Sequence, residues 1–185
     1  ARISPRVVQK VIREMGNDSD RLPILQHALM RTFDVWKEGG ISGEPIDVKH
    51  LDKTGGVNRA LSVHADEAFH ELSDNHHELA ARIFKALTVK AEGSRGVRRP
   101  MSLKQLEEVT QASQEDILDV LKPFRKEGRS FILPGLDTTA DDSTIFDISH
   151  ESLMRGWDRL KVWTEEEMDS AALYLRICEA AVLHK

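Results

Sequence analysis

The run Asp147-Ile148-Ser149-His150-Glu151-Ser152-Leu153-Met154-Arg155-Gly156-Trp157 holds the residue best suited to chemistry, His150. A short apolar stretch from Thr144 to Ile148 ends at Ser149, and amphipathic spacing follows it. Ser149 has the side chain of an N-cap, which predicts His150 in the first turn of a helix. Unpaired backbone N–H groups and the positive end of the helix dipole meet there, so the position is expected to seat a phosphate. A histidine held at the end of a strand can donate to such an anion.

Other chemistries find less support. Among the eight histidines, His64 shares a helical face with Glu67 and Glu71, which reads as a solvated carboxylate surface and not as a metal site. His76 and His77 are adjacent and therefore project apart. No His-Glu-x-x-His or Cys-x-x-Cys spacing occurs, and no metal is expected. Cys178 lies on an apolar stripe beside Ile177 and Ala181, a setting for burial rather than reactivity. The sequence contains no Gly-x-Ser-x-Gly elbow and no Gly-x-x-x-x-Gly-Lys-Ser/Thr phosphate loop, so no catalytic residue is assigned. Arg95, Arg98 and Arg99 fall in a polar stretch, Gly93 to Pro100, that reads as a solvated loop.

The chain that must position these residues has 185 residues, 40% hydrophobic and 31% charged, with a formal net charge of -5. That composition supports one sizeable core or two small ones. A single cysteine excludes an internal disulfide framework and points to a reducing, cytoplasmic setting. No apolar run approaches the roughly 18 residues of a membrane span. A start without Met, and an amphipathic pattern still running at His184-Lys185, are read as the marks of a fragment.

Helical periodicity dominates. Ser4-Pro5 opens a helix from Arg6 to Met15, closed by Gly16-Asn17. Leu22 to Lys37 forms a second, with Leu25, Leu29, Phe33 and Trp36 on one stripe. A short element covers Asp47 to Lys53. Past Gly55-Gly56, the positions Val57, Ala60, Leu61, Ala65, Ala68, Phe69 and Leu72 recur at helical spacing. These four helices predict a small bundle over residues 1–73. Residues 74–164 read differently: a helix from Asp74 to Val89, a capping box Ser102-x-x-Gln105 opening a helix to Thr110, and a helix capped by Ser113 that Pro123 should kink or end. A hairpin of Phe131-Ile132-Leu133 and Ile145-Phe146-Asp147-Ile148 follows. Three helices and a hairpin are the order of a winged-helix domain. Residues 165–185 are expected to form an exit helix, capped by Thr164-x-x-Glu167 and carrying Met168, Ala172, Leu175, Cys178 and Val182. The fold class is therefore mostly α, with polar Ser73-Asp74-Asn75 as the joint.

Four motifs also carry a resemblance: Leu22-Pro23-Ile24-Leu25-Gln26-His27-Ala28-Leu29, Gly55-Gly56-Val57-Asn58-Arg59-Ala60-Leu61, His64-Ala65-Asp66-Glu67, and His150 through Leu160. Together they resemble the bacterial STAND ATPases, multidomain signal-transduction ATPases related to plant disease-resistance proteins, animal inflammasome receptors and the apoptosome scaffold. The resemblance covers nearly the whole chain. It implies a helical lid followed by a winged helix, regulatory and not itself catalytic, with no cofactor of its own but ADP or ATP bound in the parent protein. It implies contacts to the nucleotide base at Leu22 and Pro23, where Arg21 stands in place of the family's glycine, and to the ADP β-phosphate at His150. The implied partners are an upstream nucleotide-binding domain of the same chain, a downstream repeat domain (often WD repeats in this subgroup), and further copies of the protein when active.

A winged helix also raises the prospect of DNA binding. Its third helix begins Gln114-Glu115-Asp116 and its wing carries Asp137, Asp141 and Asp142, carboxylates that would face phosphates. Lys122, Arg125, Lys126 and Arg129 gather at the helix C-terminus, where the macrodipole accounts for them. Neither a nucleic acid nor a membrane is expected as partner; a plain interaction scaffold is the remaining alternative.

Overall fold

The structure, a computed structural model, describes residues 1–15, 21–39, 43–89 and 96–183. Its contacts divide the chain into two compact units, Ala1–Glu67 and Ala68–Lys185. The described residues are mostly helical, with short strands confined to the second unit apart from a single bridge.

In the first unit, α1 (Pro5–Met15), α2 (Leu22–Gly39), α3 (Val48–Lys53) and α4 (Gly56–His70, whose last residues belong to the second unit) follow the predicted order. Ser4 caps α1 as its sequence implies, accepting the Arg6 N–H at 3.2 Å. The Gly16-Asn17 stop expected after it lies outside the described residues. Asp47 caps α3 by accepting the Val48 N–H, and the imidazole Nδ1 of His50 accepts the Asp47 N–H in return. Val7, Ala28, Leu51, Val57 and Ala60 form the core. The stripe expected on α2 needs correcting. Phe33 is 42% exposed, and Ala28 and Thr32 are the buried line of that helix. The small residues face inward because the other helices approach closely there, while the larger side chains cover the flanks.

The second unit contains α5 (Asp74–Ala86), β1 (Thr88–Val89), β2 (Val97–Arg98), β3 (Met101–Ser102), α6 (Leu103–Thr110), α7 (Gln114–Arg125), β4 (Ile132–Leu133), β5 (Ile145–Ile148), α8 (Ser152–Gly156) and α9 (Asp158–Leu183). The Ser102–Gln105 box is formed in both directions. Ser113 accepts the Asp116 N–H at 3.1 Å. α7 runs two residues beyond Pro123, which sits in its last turn. The predicted hairpin exists, with Ile132 opposite Ile148. Met101 and Ser102 add a third strand on the other side of β5.

Three expectations fail locally. The helix expected to reach Val89 ends at Ala86, and β-branched Thr88 and Val89 pair instead with Arg98 and Val97. The stretch read as a loop thus contains β2. Thr164 is no N-cap: α9 begins at Asp158, and the Thr164 hydroxyl donates to the Lys161 carbonyl inside the helix. An interior Ser or Thr that bonds back one turn has the same sequence signature as a cap.

An aromatic cluster closes the second core. Trp157 is fully buried, with its ring centroid 4.9 Å from Phe84, 5.7 Å from Phe124 and 5.4 Å from Trp163. It sits at the break between α8 and α9 and so fixes the chain just downstream of His150.

Candidate functional site

The segment around His150 departs from its predicted geometry. Ser149 donates its N–H to the Phe131 carbonyl at 2.9 Å, extending the β4–β5 ladder and not capping a helix. α8 starts at Ser152, so His150 precedes the helix and lies outside its first turn. Spanning five residues, α8 is also too short for a developed macrodipole. The phosphate seat argued from a helix terminus therefore has no basis in this fold. His150 itself makes the cap: its carbonyl accepts from Leu153 and its Nδ1 accepts the Ser152 N–H, each at 3.0 Å. With Nδ1 acting as acceptor, a neutral ring carries its proton on Nε2. The residue is exposed.

The other motif residues downstream serve the fold. Arg155 pairs with Glu151 at 3.1 Å, and the Arg159 guanidinium lies 4.1 Å from the Phe69 ring centroid. Upstream of His150, Asp147 is held by Arg98 at 2.6 Å, and the same guanidinium donates to the Ile148 carbonyl. Arg98 is thus committed to β5. Arg99 is exposed, and Arg95 lies outside the described residues.

Leu22 and Pro23 open α2 in the first unit. Leu22 is 53% exposed and Pro23 half-buried, a position where Pro costs the helix no hydrogen bond. Arg21, which stands in place of the family's glycine, has a structural task. Its guanidinium donates to the Glu14 carbonyl at 2.9 Å, at the end of α1, and to Asn58 of α4. The Gly55-Gly56-Val57 motif is explained by its neighbour. Gly56 has φ +70°, and a Cβ there would sit 3.2 Å from the Glu14 carboxylate, which accepts the Val57 N–H at 3.0 Å. A carboxylate from α1 thereby occupies the N-terminus of α4.

His27 and His64, each within a motif, meet in the first unit with Nε2 and Nδ1 3.2 Å apart. Burial, reinforced by the nearby Arg31 charge, pushes the pKa of His27 down to about 4. Two imidazoles at this distance share one proton as donor and acceptor. The remaining members of the expected acidic face also have protein partners. Glu67 receives both its bonds from Arg31 at 2.8 Å, while Arg129 and then Lys126 hold Glu71 by hydrogen bonds that lower its pKa to about 2. Among the described residues no group of three or more His, Cys, Asp or Glu side chains is placed to hold a metal.

Sequence reasoning also misread Arg125. It is 5% exposed, and its guanidinium donates to the carbonyls of Pro134, Gly135 and Thr138, fixing the loop after β4. The helix C-terminus was a sufficient explanation for a basic residue, and nothing local signalled the long-range fork.

Fold and site define the class coarsely: a mostly α chain of two units, whose motif residues largely bind its own elements and leave His150, Leu22 and Pro23 at the surface. The particular family is settled by comparison. The family model for novel STAND NTPase 1 matches residues 1–185, and the chain belongs to that family. No curated protein and no solved structure matches it. Among the described residues no helix is long and apolar enough to cross a membrane.

Proposed function

We propose that this chain is the regulatory lid and winged-helix segment of a STAND signal-transduction ATPase, non-catalytic in itself and working in the cytoplasm. It closes over ADP bound by an upstream domain of the parent protein and restrains that domain. When ATP replaces ADP the segment swings away, freeing surfaces for oligomerisation and signalling. Such a switch requires contacts that differ between the two nucleotide states. Family membership supports the assignment to this class.

On the structural side one observation carries the reading. His150 is exposed at the end of β5, with Nδ1 tied to the Ser152 N–H. The imidazole is thereby oriented from within, and Nε2 remains as a donor for the β-phosphate. Exposed Leu22 and neighbouring Pro23 are the proposed base-side contacts.

The test uses the parent protein, purified with its bound nucleotide. A hydrogen bond to a charged phosphate contributes about 1.5–3 kcal/mol, so His150→Ala should release ADP at least about tenfold faster. ADP release at the wild-type rate would remove His150 from the site.

A further inference from the structure

A cavity of about 410 Å³ opens between α5, α6 and α9 of the second unit, apart from His150. Its size lies within the range of small-molecule pockets, about 300–1,000 Å³. Its apolar lining comes from Val89, Val109, Met168 and Ala171. Its charged lining is Arg82, Lys85 and Arg99 with one carboxylate, Glu167. Three lining cations face Glu167 and, beside the lining, Glu166 on Lys85, which leaves one positive charge in excess in a chain whose net charge is -5.

These cations are incompletely engaged. Arg82 donates one guanidinium N–H to the Thr110 carbonyl, which anchors the group and leaves four of its five donors for other partners. The Lys85 ammonium lies 3.5 Å from Glu166 and 3.9 Å from Glu167, longer than the roughly 2.7–2.9 Å of a strong charge-assisted bond. Both carboxylates are well exposed, at 60% and 65%. Arg99 is exposed at the cavity edge. Two planar guanidinium forks and an ammonium around one space match a phosphate dianion better than a lone carboxylate.

We propose that this cavity binds a small phosphorylated molecule, its phosphate held by Arg82, Lys85 and Arg99 and its uncharged part lying on Val109 and Met168. The ligand competes with Glu166 and Glu167 for Lys85. Because both glutamates belong to α9, occupancy weakens the tie between α5 and the first half of that helix.

Titrating the 185-residue chain with pyrophosphate, by calorimetry and by amide chemical shifts, tests this. Saturable binding is expected, with the largest shifts at Thr88, Val89 and Thr164. Lys85→Gln and Arg99→Gln should each weaken it at least tenfold, while Glu167→Gln should tighten it about threefold by removing the competitor. Lys104→Gln, on exposed α6 surface, should leave it unchanged. Several results would overturn the proposal: no saturation, equal weakening by Lys104→Gln, or shifts centred on Ser149 to Ser152. The last outcome would assign the anion to His150 instead. Tighter binding of an acidic peptide than of pyrophosphate would transfer the surface to a protein partner and likewise reject the small molecule.

Discussion

Lowering the pH from about 7.5 to about 5 should weaken the first unit by about 2 kcal/mol through one side chain, His27. In the unfolded chain its imidazole titrates near the ordinary value of 6.5, whereas in the fold burial and Arg31 hold it at about 4. Protons therefore bind the unfolded state preferentially throughout that window. Stability is fully retained above the unfolded value and is lost as pH falls towards the folded one. At about pH 5 the unfolded state gains roughly thirtyfold in statistical weight, which is about 2 kcal/mol, and the limiting loss is about 3.4 kcal/mol. The structural cause is burial of the ring, which penalises the charged form, reinforced by the nearby Arg31 charge. Urea unfolding followed by far-ultraviolet circular dichroism at the two pH values reads the loss. Other groups titrate as well, so the deciding quantity is a difference between proteins. In His27→Gln, whose side chain does not titrate, the acid-induced loss should shrink by about 2 kcal/mol. An undiminished loss in that variant would refute the reasoning.

The second unit yields further expectations. Trp157→Ala should cost about 3–5 kcal/mol by emptying the centre of the aromatic cluster, read as a lowered denaturation midpoint. Trp157→Phe should cost distinctly less. Arg125→Lys should destabilise by about 1–3 kcal/mol, because an ammonium cannot reproduce the fork to the carbonyls of Pro134, Gly135 and Thr138. Broadened amide resonances over residues 134–138 would mark that loss. Glu71→Gln should cost only about 1 kcal/mol or less, since the carboxylate is 37% exposed and solvent screens its partners. The depressed pKa of Glu71 makes its contribution present above about 4.5 and lost as pH falls towards about 2, so the variant and wild type should converge in strong acid.

Local chemistry made much of this chain legible in its sequence. Helical spacing from Val57 to Leu72 marks residues that are all buried where expected, because a period near 3.6 directly encodes one face of a helix. Ser4, Ser102 and Ser113 cap helices because a short hydroxyl side chain reaches an N–H two or three residues on without help from elsewhere. The Ile145 to Ile148 strand and its hairpin partner were equally visible, as was the family, carried by motifs spread along the chain. Tertiary contacts decided the rest. β1, β2 and β3 have two residues each, too few to show any alternation, and they exist because a partner strand supplies their hydrogen bonds. Ser149 could have capped a helix by type, but the strand pairing runs on through it to the Phe131 carbonyl and α8 begins only at Ser152. His27 and His64 stand 37 residues apart, and Arg125 reaches carbonyls up to 13 residues away. Side-chain type states what a residue can bond to; folding alone determines which partner arrives.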